Sequence, residues 1–138
     1  MCIAGNFSGG SGTESDPYQV ATLNELESVR TCLDKHFIQT NNIDASATSS
    51  WNGGDGVSPI GDGTTQFGGT YDGDGHTIDG LSINQTGNYR GLFGYIKGTS
   101  PYTAGVKNLG LTNAVVQGTY MVGILYTPHY EIGLKMVH

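Results

Sequence analysis

An internal echo constrains this chain more than any other feature. Thr77-Ile78-Asp79-Gly80-Leu81-Ser82-Ile83 and Gly105-Val106-Lys107-Asn108-Leu109-Gly110-Leu111 share their apolar positions. Ile78, Leu81 and Ile83 lie over Val106, Leu109 and Leu111, each about 28 residues apart by subtraction. A looser echo sets residues 89–93 against 121–125, with a few residues inserted. Short apolar pieces recurring at a period in the twenties, between Gly and Asn corners, predict the coils of a β-solenoid. One coil cannot cover its own apolar side, so a neighbour must be stacked on it. Composition agrees, because 23 of the 138 residues are Gly and only 13% are charged, against usual shares of about 7% and about 25%. That mixture does not suit a helical bundle, and a hydrophobic share of 36% argues against charge-driven disorder. The length fits one domain, 1–138.

Residues 1–16 read as a leader loop. Pro17 pushes Asp16 toward an extended conformation, and Tyr18-Gln19-Val20 alternates as a short strand. Thr22-Leu23-Asn24-Glu25 has the form of a capping box. Behind it, Leu26, Val29 and Leu33 make one apolar stripe, which predicts a helix over 22–34. Residues 36–123 read as β coils. Within them, His36-Phe37-Ile38-Gln39 and Asn42-Ile43-Asp44 are strand edges around an Asn-rich corner. Trp51 anchors a polar surface loop, and Gly91-Leu92-Phe93-Gly94-Tyr95-Ile96 is a strand flanked by glycines. Residues 124–138 leave the pattern and are expected to be a tail without repeat character.

These short motifs, taken in order, resemble the GLUG-type repeat region of bacterial cell-surface proteins. That region occurs in filamentous-haemagglutinin-like adhesins and beside the proteolytic domains of IgA-specific metalloproteases. Gly12-Thr13 with Asp16-Pro17-Tyr18, Asn42-Ile43-Asp44 and Pro59-Ile60-Gly61 carry the resemblance first. Phe67-Gly68-Gly69-Thr70-Tyr71-Asp72-Gly73-Asp74-Gly75-His76-Thr77-Ile78, Gly91-Leu92-Phe93-Gly94 and Val106-Lys107-Asn108-Leu109 continue it. The resemblance implies a right-handed parallel β-helix with an N-terminal helix near the open end of the stack. An amphipathic helix over 22–34 suits that place, because it can cover an exposed sheet end.

The formal charge is −6, and no basic cluster exists to bind nucleic acid at its phosphates or to hold an anionic membrane. No apolar run is long enough for a membrane span. No charged-then-apolar leader opens the chain. The acidic, Gly/Thr/Asn-rich composition suits an extracellular or cell-surface protein, with the export signal expected outside this sequence. Cys2 and Cys32 are too few for a disulfide framework. They admit one bridge in an oxidising compartment, two free thiols, or a lipoprotein start at Cys2. Asn6-Phe7-Ser8 and Asn84-Gln85-Thr86 fit the glycosylation sequon, a pattern too common to carry weight.

Asp72-Gly73-Asp74-Gly75 faintly resembles a calcium loop, in which carboxylates supply hard oxygen ligands. Asp-Gly pairs are also turn formers, and the turn role is favoured for Asp72 and Asp74; no other cofactor is implied. His76 has no partner at metal-ligand spacing. Asp44, Asp72, Asp74 and Asp79 are available acids and Arg90, Lys97 and Lys107 available bases, but nothing in the sequence sets an acid opposite a base, as polysaccharide cleavage needs. Trp51, Tyr89 and Tyr102 lie in polar, Gly-rich surroundings and are the candidate sugar-stacking residues. The sequence therefore favours a non-catalytic surface or secreted β-helix module, acting in adhesion or as a rigid spacer. The alternative is a polysaccharide-binding or polysaccharide-cleaving β-helix. The expected partner is a host or bacterial surface glycan or protein, and an uncovered C-terminal coil predicts self-association.

Overall fold

The alternation of Tyr18, Gln19 and Val20 gives strand β1 (Tyr18–Val20), which buries Tyr18 and Val20 and leaves Gln19 exposed. A computed structural model of the protein describes residues 2–61, 65–84, 88–90, 92–93, 105–117, 120–122 and 133–137. Helix α1 (Leu23–Ser28) begins at the predicted cap, where Thr22 Oγ1 accepts a 3.2 Å bond from Glu25 N. The Glu25 carboxylate returns to Ala21 N at 2.7 Å, closing the box one residue early. The helix is shorter than the expected 22–34, because it tightens into a 3-10 turn over Val29–Thr31 and stops. There the hydroxyls of Ser28 and Thr31 bond the carbonyls of Asn24 and Ser28, at 3.1 and 2.7 Å. Such bonds offer the backbone an alternative to helix.

The remaining elements are short strands. In chain order they are β2 (His36–Gln39), β3 (Ile43–Asp44), β4 (Thr70–Asp72), β5 (Thr77–Asp79), β6 (Ser82–Asn84), β7 (Asn88–Arg90), β8 (Gly105–Thr112), β9 (Val115–Gln117), β10 (Tyr120–Val122) and β11 (Gly133–Val137). Their ladders are parallel, and they join strands from successive passes of the chain. β1, β2, β4 and the first half of β8 pair in that order, which lines up Tyr18, Phe37, Tyr71 and Val106. β3, β5 and the second half of β8 line up Ile43, Ile78 and Leu111. β6 pairs with β9 and β7 with β10, as separate two-stranded sheets. The described architecture is thus mostly parallel β, with few helical residues and open sheets.

The register corrects the first sequence echo. Ile78 faces Leu111 rather than Val106, and Val106 faces Tyr71. The repeat is therefore 35 residues at Tyr71 and 33 at Ile78, not about 28. β8 pairs with β4 in its first half and β5 in its second, so its apolar positions copy the spacing of Ile78, Leu81 and Ile83 without pairing to them at the offset of 28. The second echo agrees with the register at its start, since Asn88 pairs with Tyr120 and Arg90 with Val122, which sets Tyr89 level with Met121; its remainder, 123–125, lies outside the described residues. Within the expected off-pattern tail, residues 133–137 form β11, which pairs in parallel with β8 over Leu134↔Leu109 to Val137↔Thr112, and the rest of 124–138 lies outside the described residues.

The aligned apolar residues form one buried cluster. An aromatic file runs through it: Phe7 to Tyr18 at 4.6 Å between ring centroids, Tyr18 to Phe37 at 5.9 Å and Phe37 to Tyr71 at 6.4 Å. Phe93 closes it at 5.5 Å from Tyr71 and 4.9 Å from Phe67. Leu92 and Phe93 of Gly91-Leu92-Phe93-Gly94 are buried, and Phe93 bridges to Ile60; both glycines of that motif lie outside the described residues. Leu26, Val29 and Cys32 bring the helical segment into the same cluster. Cys2 and Cys32 are joined by a disulfide, which closes the alternatives that the sequence left open.

Candidate functional surface

Between β4 and β5 the chain makes a turn whose backbone needs small or turn-forming residues. Asp74 and Gly75 both adopt positive φ, at 50° and 80°. Asp72 Oδ1 accepts a 2.9 Å bond from Asp74 N, and His76 N closes the turn on Gly73 O at 2.9 Å. The turn is stitched to the next pass, with Gly73 N on Lys107 O at 2.8 Å and Gly75 N on Asn108 O at 2.9 Å. A Cβ at Gly73 would lie 2.5 Å from Asn108 O, so this close approach requires glycine.

The acids singled out in the sequence cluster around this turn and the β5 end. Asp72 also accepts a bond from Asn108 Nδ2 at 3.2 Å, and its second oxygen lies 4.0 Å from Lys107 Nζ. That ion pair is exposed and contributes little. Asp79 Oδ1 accepts from Thr112 Oγ1 at 2.6 Å and from Asn113 Nδ2 at 2.8 Å. Asp44, one pass earlier and in register with Asp79, accepts from Ser46 N at 2.9 Å. The bonds from Thr112 and Asn113 hold the Asp79 carboxyl below its ordinary pKa, against smaller opposing pushes from desolvation and then from Asp44. The bonds from Ser46 do the same for Asp44. Both carboxylates are thereby kept ionised, which suits an acceptor and opposes use as a proton donor near neutral pH. His76 Nδ1 sits 3.3 Å from Asn42 Oδ1, which also accepts from Thr77 N at 3.0 Å.

These carboxylates and amides therefore join successive passes. Asn108 and Asn113 both adopt positive φ, 55° and 51°, and each reaches back to an Asp of the preceding pass. The sequence reading missed this repeated Asp–Asn staple. Its signal was present, since Asn tolerates the left-handed region that a corner demands. Gln39, also missed, is fully buried and satisfies its amide on Asn41 O, Thr77 O and the Tyr71 hydroxyl.

Asp72 and Asp74 share the β4–β5 turn. No group of three or more His, Cys, Asp or Glu side chains among the described residues is arranged to hold a metal. Trp51 stands elsewhere, at an extended kink (φ −71°, ψ 148°) that breaks the 3-10 segment Ser46–Gly54 after β3, half-buried against the core. Tyr89 lies on β7, and Tyr102 and Lys97 lie outside the described residues. Among those residues, no helix is long and apolar enough to cross a membrane.

No family model matches the chain. It is similar to Halomucin of Haloquadratum walsbyi, 43% identical over 122 residues, covering 84% of this chain and 1% of that protein. It is also similar to a protein of Evansella cellulosilytica provisionally named a Gly-rich membrane protein, 39% identical over 132 residues, covering 91% of this chain and 15% of that one. The chain thus spans only a small part of the curated relatives it matches. Among solved structures, it resembles a protein of Bacteroides ovatus provisionally named an immunoglobulin A1 protease. That match has a TM-score of 0.63 at 25% identity and covers 81% of this chain and 31% of that one. Together these likenesses point to a module of surface proteins.

Proposed function

We propose that this chain is a right-handed parallel β-helix module of a cell-surface or secreted protein, non-catalytic, and serving in adhesion or as a rigid spacer. The observation that carries the reading is the in-register column Tyr18, Phe37, Tyr71 and Val106 across successive parallel strands. A stack of coils produces such a column, and it holds outward turns at fixed spacing. The matches to small parts of much longer proteins support a modular role. The likeness to the Bacteroides ovatus structure supports the GLUG-type resemblance. The partner in this reading is a surface glycan or protein of host or bacterium. Trp51, Tyr89 and Tyr102 are its candidate stacking residues, and Asp72 with Asp74 is the place to look for calcium.

The test is incubation of the purified chain with a panel of neutral and acidic polysaccharides, with calcium and then with chelator. Binding and newly formed chain ends are followed together. The reading expects no new ends under either condition. Cleavage overturns it and makes the turn from Asp72 to His76 the first target for substitution. Binding without cleavage assigns a glycan-directed adhesin, and loss of that binding in Trp51→Ala would place the ligand at the 3-10 segment.

A further inference from the structure

The chain's own N-terminal residues close the outer edge of β1. Ser8 N donates to Gln19 O at 3.0 Å, and Gln19 N donates to Gly9 O at 2.8 Å. The leader therefore lies where another strand would otherwise pair. Phe7 stacks on Tyr18 with planes within 10° and leans on Phe37 at 5.6 Å. Gly10 and Gly12 let the segment lie flat, since a Cβ on them would fall 2.0 Å from Pro17 O and 2.5 Å from the Tyr18 ring. Ser8 Oγ donates to the Glu25 carboxylate at 2.7 Å, and Gly12 O accepts from His36 N at 3.0 Å. One covalent bond holds the far end of the segment, between half-buried Cys2 and buried Cys32.

We infer that residues 2–12 are a redox-latched cap. While the Cys2–Cys32 disulfide is closed, the β1 edge is occupied; when a dithiol reductant opens it, that edge takes a parallel strand from a second copy of this chain. A reductant thiolate attacks the more accessible Cys2 sulfur, and Cys32 leaves as thiolate. The second reductant thiol then resolves the mixed disulfide, giving two cysteine thiols and one oxidised reductant. The occupant follows from the ladders. β1 already accepts a parallel neighbour on its inner side through Tyr18↔Phe37 and Val20↔Gln39. Among the described residues, β9, β10 and β11 are each paired to one strand alone, so a second copy offers parallel edges of the same kind. The contact joins unlike ends and is heterologous.

The inference rests on the coil stack proposed above, and its test separates the two. Hydrogen exchange and light scattering are measured on the full chain before and after dithiothreitol, with thiol counting to confirm reduction. Amides of residues 8–20 should exchange faster, on the order of tenfold, while 70–72 and 105–112 keep their protection. The mass should rise with concentration. Cys2→Ser should behave as the reduced chain. Gln19→Pro, which removes the outward N–H of β1, should leave the reduced chain monomeric. Unchanged exchange at 8–20 or a monomer at every concentration after full reduction overturns the latch. Loss of protection at 105–112 on reduction also overturns it, because the disulfide is then a staple for the whole fold. Absence of that protection in the oxidised chain would instead sink the coil stack.

Discussion

The Tyr71 hydroxyl donates a 2.7 Å hydrogen bond to Gln39 Oε1, and both side chains are wholly buried. Gln39 Nε2 is in turn spent on Thr77 O at 3.0 Å and Asn41 O at 2.9 Å. One amide therefore ties β2 to β4, to the start of β5 and to its own corner. Burial also pushes the Tyr71 phenol well above its ordinary range, so it stays a donor at any ordinary pH.

Tyr71→Phe keeps the ring in the aromatic file and removes only the donor. The orphaned Gln39 oxygen should cost about 1–3 kcal/mol, read as a lower midpoint in urea with an unchanged slope. A cost near zero would mean that water reaches Gln39.

Gly69 and Gly75 separate two reasons for glycine. A Cβ at Gly69 would fall 1.7 Å from Lys35 O, whereas one at Gly75 meets nothing within 4 Å although its φ is +80°. Gly69→Ala must move backbone and should cost about 3 kcal/mol or more. Gly75→Ala carries only the left-handed penalty, about 1–2 kcal/mol. Equal denaturation midpoints for the two variants would refute the close approach of β4 to the preceding pass.

Acid should weaken the Asp–Asn staple. The Asp79 carboxyl is held below its ordinary value of 3.8 in the folded chain. Its contribution is present above that value and is lost as pH falls through the lower folded one. Asp79→Asn cannot titrate, so the drop in denaturation midpoint from pH 7 to pH 2 should be smaller than in the parent chain. An identical drop would show that Thr112 and Asn113 do not favour the ionised form.

The helix start gives a fourth test. Thr22→Ala removes the acceptor for Glu25 N and should cost about 1 kcal/mol, seen as a lower Tm. Thr22→Ser should keep most of that stability.

Several features were legible because they are local. The capping box at Thr22 and Glu25, the strand at Tyr18 and Val20, and the turn at Asp72 to Gly75 each need only neighbours in sequence. The length of α1 was not legible in the same way, because the Ser28 and Thr31 hydroxyls compete for its last carbonyls. Of the candidate surface, the acids were visible as residue types. Their partners were not, since Asn108 and Asn113 lie 36 and 34 residues beyond the aspartates they bond.

By itself the sequence determined that short apolar strands recur between Gly, Asp and Asn corners, and that each pass must cover the next. It did not determine the register. The apolar spacing of Ile78, Leu81 and Ile83 fits β8 at an offset of 28, while the backbone ladder pairs Ile78 with Leu111 at 33. Only the tertiary structure decided between them, because the β4–β5 turn is longer than the step within β8 and hydrogen bonds must close around that difference. The same holds for the N-terminus: its glycines and Phe7 read as loop along the chain, and become a cover only where β1 presents an edge and Cys32 comes within reach of Cys2.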